Sequence, residues 1–486
     1  MTALRGDFRA DAGVRNARRL LETSIVMLAL FGIFRADTLD GLIAYLFITS
    51  AAMFPAVLWL RARTPGIPIL PAVAAFHFLY FAIPILRQDP TQVAYTPWEL
   101  FRAAITVVLF LVTATVAWGL VLGRFPRRSQ QATAGPDRLP RAPGQLLMFA
   151  GLAVGSAFQI ALISGWLNDL GSFFGLVRAV ALTTASTACY LLGNLRGLRR
   201  LQGQLWGLAC VGLMSNVALS LSSLFLVGGM TFILAATLGY VIAVKRVRWG
   251  GVALVFAILF VFHAGKGEMR ERYWPAGYSQ SVSVAQVPRV MIEWFAAGTA
   301  AIASGESQQD IIDRASLLYM LLRVERMTPE DIPYLGGETY ALLPTYLIPR
   351  FLDPSKAASQ AGLDLLNIRY GVQTSEEVGT TAIGWGIIAE AFANFGLIGV
   401  VGAGGVFGLL SAFFTRWSTK AAPLSLPTLL SIAALISLTN LEADFGYLVV
   451  NLWQALVATL IFFIPIKYLS SGGPTPMPAP GQLHHS

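Results

Sequence analysis

The chain has 486 residues, 55% of them hydrophobic and only 13% charged, with a mean hydropathy of +0.63. Soluble domains carry about twice that charged fraction, so the composition excludes an ordinary globular protein and requires a polytopic membrane one. The net charge of +9 does not ask for nucleic acid, because arginine and lysine gather in loops that stay in the cytoplasm; the two cysteines, Cys189 and Cys210, lie in apolar stretches and support neither a disulfide framework nor a thiolate metal site.

In chain order, MTALRGDFRADAGVRNARRL is too long and too mixed in charge for a signal-peptide n-region, and residues 1–19 read as a cytoplasmic tail. Next come about twelve apolar stretches, each able to cross a hydrocarbon layer about 30 Å thick. They cover 20–36, 41–60, 68–86, 103–123, 145–165, 174–193, 204–222, 224–244, 249–264, 392–414, 426–441 and 446–466. The expected fold is therefore an all-α polytopic membrane protein of about 12 transmembrane helices. Nine of these fall in 20–264 and three in 392–466, and a large helical cap loop, 265–391, separates helices 9 and 10. The Pro- and Arg-rich stretch 124–144 reads as a cytoplasmic linker, and 467–486 as a disordered tail.

Basic residues sit at alternate ends of these helices: Arg15, Arg18 and Arg19; Arg61 and Arg63; Arg124 to Arg141; Arg196, Arg199 and Arg200; Lys245, Arg246 and Arg248; Arg416 and Lys420; and Lys467. By the positive-inside rule these ends and both termini face the cytoplasm, which puts 265–391 outside. From 265 to 380 there are ten basic and fourteen acidic residues, as an outward loop in a basic protein should have. Within it PRVMIEWFAAGTAAIA and DIIDRASLLYMLLRVERM have helical apolar periodicity, whereas YLGGETYALLPTYLIPRFLDPSK breaks into turns.

A water-exposed cap over a helical bundle suits a reaction between a lipid-anchored substrate and a polar partner on the outer side. Arginine is the residue for holding a lipid phosphate, since its planar fork keeps its charge and binds bidentately. Lys266, Arg270 and Arg272, in GKGEMRERYW, lie just past the ninth helix, and Arg350 and Lys356 lie in LIPRFLDPSK. The alternative is that these are interfacial anchors for ordinary anionic headgroups. Arg178, within an apolar span near its outer end, faces either a wet cavity or the interface by snorkelling. Glu390 and Asn394 share one face of the tenth helix near its start. Glu442 and Asp444, in LTNLEADFGY, read as solvated turn residues. Among four histidines only His263, at the outer end of the ninth helix, is placed as a general base. No HExxH, Walker A or GxSxG occurs, and neither a metal nor a cofactor is expected.

The order of signals resembles the Wzy-type O-antigen and exopolysaccharide polymerases, the oligosaccharide-repeat-unit polymerases. Those signals are Lys266 to Trp274 after a helix, Asp313 to Ser316 opening an amphipathic helix, GGETYALLPTYLIPR ending at Arg350 with Lys356 beyond, and EAFANFGLIG opening the next helix. The resemblance covers roughly 250–410. It implies a GT-C-like glycosyltransferase of the bacterial inner membrane, acting outside on undecaprenyl-pyrophosphate-linked oligosaccharide among membrane lipids. A flippase and a chain-length regulator would be its partners. On this resemblance Lys266, Arg270, Arg272, Arg314, Arg350 and Lys356 bind the departing pyrophosphate. Glu268, Glu390 or His263 takes the acceptor's proton, and Arg178, Tyr273 and Asn394 line the cavity. An O-antigen ligase, with the same donor, and a transporter are the rival readings.

Overall fold

In hydrocarbon every backbone N–H and C=O needs a partner within its own segment, which leaves helices or closed barrels. The apolar runs here carry no alternating pattern and fold as helices. A computed structural model describes residues 2–61, 66–86, 95–124, 141–244, 249–274, 282–304, 317–378 and 383–471, and is all-helical over them. The first helices are α1 (Thr2–Arg35), α2 (Leu39–Arg61), α3 (Ile69–Ile85, with a π-helical turn at Phe78–Ala82), α4 (Pro97–Arg124), α5 (Arg141–Ile163) and α6 (Phe174–Gly197). They continue as α7 (Gly203–Leu221), α8 (Leu226–Val244) and α9 (Trp249–Ala264). The cap holds α10 (Lys266–Tyr273), α11 (Val287–Ser304), α12 (Leu317–Met327), α13 (Leu343–Leu347) and α14 (Ala361–Arg369), and α15 (Ile387–Trp417), α16 (Leu426–Leu438) and α17 (Phe445–Ser471) complete the chain.

Among the described residues eight helices, α2, α4 to α8, α15 and α17, are long and apolar enough to cross a membrane. The other four expected spans are helical too, as the second half of α1 and as α3, α9 and α16, with shorter apolar lengths. Two of the boundary shifts matter here. Helix α1 runs unbroken from Thr2, so the expected tail 1–19 is helical from that residue on, and α15 starts at Ile387 rather than 392, which takes Glu390 inside it. The linker 124–144 lies mostly outside the described residues, and the tail 467–486 beyond Ser471 does too.

Helices in lipid approach through small residues. Gly193 of α6 and Gly239 of α8 lie against the partner's backbone at Ala236 and Tyr190, and α15 meets α4 through Gly404 and Gly408. Contacts between loops and helix ends mark the two ends of the bundle. At one end Ile67 donates its N–H to Ser418 Oγ, and the Tyr190 hydroxyl donates to the Pro423 carbonyl. At the other, Tyr80 donates to Glu442, Arg326 pairs with Glu99 at 2.6 Å, and Phe173 stacks on Phe351.

The cap docks in two parts. Helix α11 lies on α9, where the Trp294 indole donates to the Phe262 carbonyl at 2.6 Å. Helix α12 lies on α4 and α15. Its Glu325 side chain is wholly buried and accepts from Arg102 Nε at 2.9 Å and from the Thr106 hydroxyl at 2.6 Å. Burial pushes the Glu325 carboxyl up, and the Thr106 hydroxyl and Arg102 guanidinium oppose it. Arg102→Ala strips a buried charge of its partner and should cost roughly 3 kcal/mol. Arg326→Ala, which breaks a pair exposed on its arginine side, should cost at most about 1 kcal/mol. Thermal unfolding of the purified variants in detergent reads both, and equal losses would overturn the ranking.

Candidate functional site

The site grows from a break in α15. Phe395 (φ −142°, ψ 17°) and Gly396 (φ +60°, ψ −146°) leave helical geometry within EAFANFG. Carbonyls at the end of a helical turn need outside donors, and those of Ala393 and Asn394 accept from the N–H groups of Leu335 at 3.0 Å and Gly336 at 3.1 Å. The approaching segment YLGGETY turns there with φ of +60° at Gly336 and +99° at Gly337, a conformation open to glycine at little cost. Asn394, fully buried, completes the seam: Oδ1 accepts from Gly337 N–H at 3.0 Å, and Nδ2 donates to Thr339 Oγ1 and to the Glu390 carbonyl, both at 2.9 Å.

Beneath this seam lie two carboxylates, Glu390 at 0% and Asp444 at 1% exposure. Glu390 Oε2 accepts the Phe445 N–H at 2.6 Å. Asp444 caps the N-terminus of α17, its Oδ1 accepting from Tyr447 N–H at 3.0 Å. Their other oxygens, Glu390 Oε1 and Asp444 Oδ2, are buried without a hydrogen bond. Burial pushes Asp444 up to about 6, and the N–H groups of its own turn oppose that rise. Tyr340 roofs the pair, its ring stacked on Phe395 and edge-on to Phe445, and the Tyr346 hydroxyl accepts the Gly362 N–H.

Two cations follow Tyr346 along the chain. The Lys356 ammonium donates to the carbonyls of Tyr346 and Ile348. Burial, and then the neighbouring Arg350 charge, lowers its pKa. Arg350 is exposed and reaches the Ala357 carbonyl at 3.5 Å.

The remaining residues singled out from the sequence do not join this group. Arg272 is paired with Glu268 at 2.8 Å and Glu293 at 3.4 Å, and Tyr273 donates to Glu293 at 2.6 Å. These bonds make Tyr273 part of a surface network rather than a cavity wall. The Arg270 guanidinium lies over Trp274 and Phe225, 4.3 and 5.0 Å from their ring centres, and donates to the Leu224 carbonyl, tying α10 to the turn between α7 and α8. His263 and Lys266 are half-buried at the junction of α9 and α10. The cations expected to form one clamp thus divide between the two parts of the cap. Arg178 is exposed on α6. Arg314, with Asp313 and Ser316, lies outside the described residues.

Asp444 is the residue that sequence reasoning set aside. An acidic residue just before an apolar run is the signature of a helix N-cap, and that signal was present in EADFGY. Its burial follows from tertiary contact: Gly362 and Gly446 stand against Oδ2, and no side chain larger than hydrogen fits at the first without displacing it. Among the described residues no group of three or more His, Cys, Asp or Glu side chains is placed to hold a metal ion. Comparison of the chain with protein-family models, characterised proteins and solved structures finds no match in any of the three.

A carboxyl raised on folding binds its proton more tightly in the folded state. Its contribution to stability is therefore complete below the usual carboxylate value of about 4 and is lost as pH rises through the folded value. The wild-type melting temperature should fall between about pH 4 and about pH 7, and Asp444→Asn should flatten that fall. An unchanged slope in the variant would remove Asp444 as its source.

Proposed function

We propose that the protein is a membrane glycosyltransferase that polymerises oligosaccharide repeat units carried on a lipid pyrophosphate. In this reading α1, α3, α9 and α16 cross the membrane with the other eight, giving twelve spans and a GT-C-like plan. The alternation of loop contacts between the two ends of the bundle supports it: α3 begins beside Ser418 and ends beside Glu442.

One observation carries the chemistry. The segment from Tyr334 to Lys356 covers a buried carboxylate, Glu390, and carries two neighbouring cations, Arg350 and Lys356, further along. A glycan transfer needs those two functions close together. The acceptor hydroxyl oxygen attacks the anomeric carbon and its proton passes to Glu390. The bond from that carbon to the pyrophosphate oxygen breaks, and its electron pair stays with the leaving group. A fixed positive field where that charge develops lowers the barrier. Arg350 supplies it, and Lys356 holds the segment in shape. Glu390 is sealed, so the roof at Gly337 to Tyr346 has to lift before the acceptor arrives. Arg270 and Arg272 serve the architecture of the cap in this scheme.

Deletion of the gene should leave single repeat units on their lipid carrier, read by gel analysis of lipid-linked glycans. Full-length polymer remaining on the carrier would point instead to a ligase. Arg350→Ala and Glu390→Gln should each abolish polymer at normal protein level, whereas Arg272→Ala should keep it. Wild-type polymer in the Arg350 variant would remove that residue from the reaction.

A further inference from the structure

The carboxyls of Glu390 and Asp444 come together from the first turns of α15 and α17. Glu390 takes the backbone N–H of Phe445, the residue directly after Asp444, and the charge of Asp444 acts on the Glu390 carboxyl. Each spends one oxygen on a backbone N–H and keeps the other buried and unbonded. The groups facing them are Thr339, whose hydroxyl is within hydrogen-bonding reach of the Glu390 carboxyl, and Tyr340 from the roof, Tyr346 from α13 and Asp364 from α14. None of these is cationic. The ammonium of Lys356 is turned to the carbonyls of Tyr346 and Ile348, and the ion pairs among the described residues all join other side chains.

Two bare carboxylates excluded from water repel each other and lose their solvation. A hydrogen carried by one and shared with the other removes one charge and gives an orphaned oxygen its partner, as in paired-carboxyl sites where like charges cannot both ionise. We propose that Glu390 and Asp444 together bind one proton, carried on the oxygens that no backbone N–H reaches. The pair is a proton-binding site at the cap end of the bundle, with Asp444 a working member of it. When it acts in the transfer described above, the ionised carboxyl accepts the acceptor's proton and its partner is already neutral. The inference rests on the geometry of the two carboxyls and not on the polymerase reading, so a spectroscopic failure and a glycan-assay failure are separate results.

Infrared spectroscopy of the purified full-length protein in lipid nanodiscs tests it. At neutral pH the wild type should give a carboxylic-acid C=O band that shifts in D2O. Glu390→Gln and Asp444→Asn should each shift or remove that band, and Glu325→Gln, which alters the ion-paired buried carboxyl, should leave it in place. Should a substitution prevent folding, wild-type protein labelled with carboxyl-13C aspartate, and separately glutamate, replaces it: a shared proton makes the band respond to both labels. Absence of a carboxylic-acid band, a band indifferent to both variants, or one that responds to a single label overturns the proposal.

Discussion

A membrane helix that breaks must find hydrogen bonds for the carbonyls it abandons, and this constraint organises the cap. At Phe395 and Gly396 the break in α15 is met by the backbone of Leu335 and Gly336, and Asn394 closes the seam with its side-chain amide. Everything chemically notable at that end of the molecule follows from this docking. It brings Thr339, Tyr340 and Tyr346 over the ends of α15 and α17 and excludes water from Glu390 and Asp444.

The position of the roof is secured a short way along the chain by α12. Glu325 and Arg326 are adjacent in sequence, and they cross to Arg102 and Glu99 one turn apart on α4. The buried member fixes the site because an unpaired carboxylate there is costly, and the outer pair, screened by solvent, mainly sets the register. Arg326 also lies over the Tyr95 ring, 3.9 Å from its centre, so part of its hold survives without its acidic partner.

Much of the fold was legible in the sequence because hydrocarbon imposes a simple rule: long apolar runs became helices. Glu390 and Asn394 were legible as a pair through their one-turn spacing. Less legible was the dense charge of GKGEMRERYW. The spacing of Glu268 and Arg272 already specified an internal ion pair, but the seat of Arg270 on Phe225 and Trp274 depends on a turn some forty residues earlier and cannot be read from local pattern. Asp444 was misread for the same reason. A short acidic turn is ordinarily hydrated, and the arrival of the roof and of α14 from elsewhere in the chain encloses it.

The Lys356 ammonium, bound to the carbonyls of Tyr346 and Ile348, closes the intervening stretch into a ring without a covalent link. That closure fixes the length of chain between the roof and Arg350. An inserted or deleted residue between Ile348 and Lys356 would not be absorbed as slack, as it is in an open surface loop; it would have to break the ring or shift the Arg350 guanidinium from the Ala357 carbonyl.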